Sequence, residues 1–278
     1  MSLIILLKKI YIIIQIIILF SYLYLTPLFS LIFGKRMKKI CFYNYEKQMN
    51  KTGKNIFFNK LVHFNYFKIE KKINIWILNH TCQLDNIIIA TSFVKSNLSW
   101  NDARTVSSIE NSIMDNILEK HGMFLVTGDL IKDANTFENL WKKWENTQDI
   151  IQIILFPEGT IYDSNTKNRE YTKSQKFILK NKLNIDKFNN LLFPNIGALN
   201  LIIDKLRNSI DSIYDFSISY KDKSNNRIFD ELNILDKLAK NDLEVNVKID
   251  RYNIDDVIKD KYWLFKIWKE KDLWIDRN

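Results

Sequence analysis

Two short stretches of the sequence carry side chains that could do chemistry together. The first, residues 79–85 (NHTCQLD), sets His80 and Asp85 five positions apart. On one continuous helix that spacing puts them about 140° apart, on different faces. They can meet only if His80 sits in a loop and Asp85 in the first turn of a following helix. A carboxylate beside one imidazole nitrogen fixes the tautomer and leaves the other nitrogen as a base. An exposed loop histidine followed by an ordinary helix-start acid fits the same letters. The second stretch, residues 156–160 (FPEGT), offers the charge of Glu158, close approach at Gly159 and the hydroxyl of Thr160. Pro157 and Gly159 also suit positions two and four of a type I turn, so a tight turn alone would account for them. Lys167, Arg169 and Lys173 follow, and basic side chains of this kind pair with phosphate.

Both stretches come directly after a predicted strand. Residues 73–78 (INIWIL) and 150–156 (IIQIILF) are apolar runs suited to buried strands, and residues 122–126 offer another. Residues 86–93, 134–144, 171–183 and 197–207 read as helices. Residues 215–220 (DFSISY) and 244–249 (EVNVKI) alternate, as strands with one wetter face do, and residues 262–273 form an aromatic-rich amphipathic helix. Strands alternating with helices predict an α/β fold, a mostly parallel central sheet flanked by helices. Sites in such sheets collect at the carboxyl ends of the strands, where both loops fall. His80, Asp85 and the 156–160 turn are thereby expected to face one cleft.

The 46% hydrophobic and 26% charged content of the 278 residues predicts a folded body rather than disorder. A net charge of +9 favours anionic partners. Nucleic acid is one such partner, but no stacking-aromatic plus basic motif supports it. Cys41 and Cys82 have no paired spacing, so neither a disulfide framework nor a metal site is predicted. Residues 10–33 form an uncharged apolar run that reads as a membrane-inserted helix, or as a helical hairpin broken at Pro27. Lys35, Arg36, Lys38 and Lys39 outnumber Lys8 and Lys9 on the other flank, which places the following body on the cytoplasmic face of the membrane.

Taken together, the two loops resemble the signature of the glycerolipid acyltransferases typified by 1-acylglycerol-3-phosphate acyltransferase. That signature is an N-H-x-x-x-x-D loop followed some seventy residues later by F-P-E-G-T. Asn79, His80 and Asp85 match the first block and Phe156 to Thr160 the second. The stretches around His121-Gly122, Asn165-Thr166-Lys167, Asp204-Lys205-Leu206, Ser219-Tyr220 and Lys271-Asp272 are similar to the lysocardiolipin and lysophosphatidylglycerol acyltransferase branch. The resemblance implies a membrane anchor over residues 1–39 and an acyltransferase domain over residues 40–278, on an endoplasmic-reticulum-type membrane if the source is eukaryotic. It implies His80 and Asp85 as catalytic residues, with Glu158, Gly159 and Thr160 binding an anionic lysophospholipid acceptor among membrane lipids. Acyl-CoA would be the co-substrate, with no cofactor and no metal. Gly128 stands where that family has an Arg contacting the substrate phosphate, and Lys132 and Arg169 are candidate replacements. Two other readings stay open: a CoA-independent transacylase, and a non-catalytic lipid-binding derivative.

Overall fold

The computed structural model describes residues 3–18, 21, 44–45, 47–48, 50–54, 57, 61–62, 73–95, 98, 103–108, 123–145, 150–162, 164–185 and 187–278. Seven strands form one sheet in the order β1-β7-β6-β2-β5-β3-β4. They are β1 (Leu61–Val62), β2 (Ile73–Leu78), β3 (Ala103–Ser108), β4 (Phe124–Val126), β5 (Ile151–Leu155), β6 (Ile210–Asp222) and β7 (Leu243–Asn253). Every pairing is parallel except β6 with β7. The predicted mostly parallel α/β sheet is therefore the observed one.

The helices that follow β2 among the described residues are α1 (Asp85–Lys95), α2 (Leu130–Glu145), α3 (Ser164–Lys180), α4 (Gly197–Leu206), α5 (Glu231–Ala239), α6 (Ile254–Lys259) and α7 (Trp263–Arg277). Because strand side chains alternate, β2 feeds two cores. Ile73, Ile75 and Ile77 join Phe137 of α2, Ile202 of α4 and Trp268 of α7 on one face. Trp76 and Leu78 join Ile88 of α1 and Ile234 of α5 on the other. Burying each such side chain contributes on the order of 2 kcal/mol. Strands β2 and β5 lie side by side with Ile77 opposite Leu155, so the loops that follow them leave the sheet as neighbours.

At the amino terminus, residues 3–18 are helical, and Ile5, Ile12 and Ile16 pack against the core that holds Trp76. Lys9 pairs with Asp236 of α5, and Gln15 accepts from Gln48 Nε2 at 3.1 Å. The other apolar residues of this helix, among them Leu3, Ile4, Leu7, Ile10, Ile14 and Ile17, are exposed. Among the described residues no helix is long and apolar enough to cross a membrane. Most of the predicted segment beyond residue 18, with its basic flank, lies outside the described residues, as do Cys41 and His121-Gly122.

Candidate active site

The loop after β2 is built around Asp85, the first residue of α1 and fully buried. Its Oδ2 accepts from the backbone N–H of Thr81 at 2.7 Å and of Cys82 at 3.0 Å, and lies 3.0 Å from His80 Nδ1. Its Oδ1 accepts from the Tyr220 hydroxyl at 2.6 Å. Such charge-assisted bonds compensate the cost of burying the carboxylate. Asn79 anchors the near end of the loop to β6, with Oδ1 accepting from Ile218 N at 2.9 Å and Nδ2 donating to Ile218 O at 3.0 Å. With Nδ1 facing the carboxylate, His80 has Nε2 left for a substrate proton. Its ring stacks on Phe156, centroids 4.3 Å apart, and its side chain is 13% exposed.

The second loop is the expected tight turn and more. Gly159 N donates to Phe156 O at 3.0 Å, and Gly159 sits at φ +71°, where a Cβ is strained. Glu158, instead of facing solvent, is buried, and both its oxygens hold backbone. Oε2 accepts from His80 N at 2.9 Å and Oε1 from Leu192 N at 3.3 Å. A third tie runs from Tyr162 N to His80 O at 2.8 Å. The two loops therefore meet, and the backbone of His80 is held on both sides by the 156–162 stretch. Burial pushes the Glu158 carboxyl up to about 8, against the pull of the His80 N–H, Lys271 and the Leu192 N–H, with Asp85 adding to the rise. Gly159 and Thr160 stand further out, exposed and half-buried.

The two candidate replacement cations lie apart from this cluster. Lys132 is exposed near the start of α2, after edge strand β4, which β3 and β5 separate from β2. Arg169 on α3 is exposed and pairs with Glu170 at 3.1 Å. Lys167 comes nearer, its Nζ 5.8 Å from the Tyr162 ring centre and donating to Asn189 O at 2.5 Å. Burial and then Lys187 hold its ammonium below the usual lysine range, while Asp272 pulls the other way. Where the resembling family carries an Arg, Gly128 takes φ +85° in a turn that Asp133 caps, a conformation an arginine would strain. Cys82, inside the first loop, is buried and its thiol is pushed well above the usual range by that burial, which removes it as a nucleophile at neutral pH. Among the described residues no group of three or more His, Cys, Asp or Glu side chains could hold a metal ion.

Tyr220 was legible only as part of a matching dipeptide. Its role needs the 135-residue jump that β6 makes to reach Asp85.

No family model matches the chain, and no solved structure matches it. Three similar proteins are named acyltransferases. An uncharacterized acyltransferase of Schizosaccharomyces pombe is 28% identical over 52% of this chain and 42% of its own length. The 2-acyl-1-lysophosphatidylinositol acyltransferase of Saccharomyces cerevisiae is 32% identical over 45% of this chain and 32% of its own. Lysocardiolipin acyltransferase 1 of Gallus gallus is 30% identical over 50% and 36%. The chain thus matches less than half of the length of each of these relatives, and about half of its own residues resemble glycerolipid acyltransferases.

Proposed function

We propose that this protein moves a fatty acyl chain from acyl-CoA to a hydroxyl of an anionic lysophospholipid. The observation that carries the reading is the His80–Asp85 contact, locked against the Glu158 turn by backbone hydrogen bonds on both sides of His80. In the reaction, His80 Nε2 takes the proton of the acceptor hydroxyl as its oxygen attacks the thioester carbonyl carbon. The tetrahedral intermediate collapses with cleavage of the carbon–sulfur bond. The imidazolium, stabilised by Asp85, returns the proton to the departing CoA thiolate. General-base help of this kind is worth about 10²–10⁴ in rate, and holding hydroxyl and thioester together supplies much of the remainder.

In this reading Gly159 and Thr160 would contact the acceptor, and Glu158 braces the backbone of His80. The relatives named for lysophosphatidylinositol and lysocardiolipin support an anionic acceptor. Lys167, whose ammonium lies 5.8 Å from the Tyr162 ring centre, and Lys187, whose Nζ donates to Asn168 Oδ1, are the cations that would meet its phosphate, ahead of Lys132 and Arg169. The exposed apolar side of the helix over residues 3–18 supports membrane association, with the domain docked through Ile5, Ile12 and Ile16.

Incubating the protein with one labelled acyl-CoA and a panel of lysophospholipids on vesicles tests the reading. Label is expected in a diacyl product only when acyl-CoA and an anionic lysolipid are both present. Product formed from a phospholipid donor without acyl-CoA would replace the donor, and no transfer to any acceptor would remove the enzyme reading.

A further inference from the structure

A cleft beside the His80 loop holds a cation that the acyl-transfer steps do not use. After β6 the chain turns back on itself, with Lys221 bridged to Arg227 in antiparallel fashion and Ile228 N donating to Tyr220 O at 2.9 Å. This return lays Arg227 along the end of β6. Thr81, Asn190, Ser219, Tyr220, Arg227 and Phe229 line the cleft that results. Three of them touch the His80 site. Thr81 follows His80 in the chain and donates its N–H to Asp85, and the Tyr220 hydroxyl donates to the same carboxylate. The Phe229 ring centre lies 4.9 Å from that of Tyr162, whose N–H holds His80 O.

The polar groups of the cleft are incompletely matched. Arg227 donates through Nη1 to Asn190 Oδ1, and through Nη2 to Asp276 Oδ1 at 2.6 Å and Asp276 O at 3.3 Å. A guanidinium has five N–H donors, more than these contacts use. The Arg227 and Asp276 side chains are 24% and 43% exposed, and an ion pair in that position contributes little to stability, so the guanidinium can be shared with an incoming anion. Ser219 is buried, and its Oγ has no hydrogen-bond partner among the described residues. A buried hydroxyl left in that state is costly and points to a group that the cleft receives. The interior takes one water-sized group, such as a single phosphate oxygen. Asn190 is held in place by α7, since Asp272 accepts from Asn189 N at 2.9 Å and Asn190 N at 2.7 Å. Lys167 donates to Asn189 O, so a second cation flanks the same dipeptide.

We propose that this cleft is a phosphate subsite, with Arg227 as its cation and one phosphate oxygen accepting from the Ser219 hydroxyl. The inference rests on the acyl-transfer reading and deepens it, because acyl-CoA and an anionic lysophospholipid both carry phosphate. A guanidinium presents paired N–H donors to a phosphate, which an ammonium cannot, and so adds specificity to charge.

Titration of the full chain by phosphorus NMR, with glycerol 3-phosphate and separately with CoA, tests the subsite. Arg227→Gln is expected to bind one of these probes about ten-fold more weakly than the wild type, with Arg227→Lys in between. Loss confined to glycerol 3-phosphate assigns the cleft to the acceptor, and loss confined to CoA assigns it to the donor. Asp276→Asn leaves the guanidinium without its carboxylate and is expected to bind the same probe at least as tightly as the wild type. Equal binding of both probes by wild type and Arg227→Gln overturns the proposal. So does a loss in Asp276→Asn as large as in Arg227→Gln, which is what a purely structural link between this turn and α7 produces. The titration needs no turnover, so a wild type that binds phosphate through Arg227 and transfers no acyl group removes the acyl-transfer reading alone.

Discussion

Two strand-to-helix loops, both at the carboxyl ends of parallel strands, are built on one plan and have different outcomes. After β2, Asp85 at the start of α1 accepts from the N–H groups of Thr81 and Cys82. After β4, Asp133 in the first turn of α2 accepts from Thr127 N at 2.8 Å, Thr127 Oγ1 at 2.7 Å and Gly128 N at 3.0 Å. In both, a buried carboxylate near a helix start organises the preceding loop, as the helix dipole favours. Only the first also faces an imidazole and receives a tyrosine hydroxyl from β6. The carboxylate by itself is thus a structural device. It becomes chemical where His80 is delivered to it and Glu158 holds the backbone of that histidine in place.

Substitutions in the two loops break the comparison in graded ways. His80→Ala should cut transfer to a small residual rate with the fold retained, and Asp85→Asn should lower kcat about 10²- to 10⁴-fold, both read in the labelled acyl-CoA assay. Tyr220→Phe removes one charge-assisted bond to Asp85 and should cost about ten-fold in kcat with little change in KM. Asp133→Ala should leave the rate within about two-fold and lower stability by about 1 kcal/mol by chemical denaturation, because its loop is exposed and water can replace the lost bonds. Cys82→Ser should change the rate least, and a thiol reagent at neutral pH should leave the wild type active.

How much of this was legible in the sequence follows from how local each feature is. Strands β2 and β5 announce themselves as apolar runs because both of their faces are buried. The β3 segment, ARTVSS, has no such run, and only its neighbours β5 and β4 hold it in the sheet. Short α5 gives as weak a signal, since Ile234 and Leu238 give it a single apolar stripe over nine residues. His80 and Asp85 could be paired on paper because the loop between them is short. The backbone role of Glu158 could not, since its partners His80 and Leu192 lie 78 and 34 residues away. Lys271-Asp272 was visible as a matching dipeptide, and only the folding of α7 against β6 gives those residues something to hold.

The central claim is that imidazole and carboxylate act as one unit, and a double-mutant cycle of His80→Ala and Asp85→Asn measures it directly. The account predicts that Asp85→Asn, costly in the wild type, changes nothing further once His80 is alanine. Losses that simply multiply, or a His80→Ala protein that transfers as fast as the wild type, would contradict it.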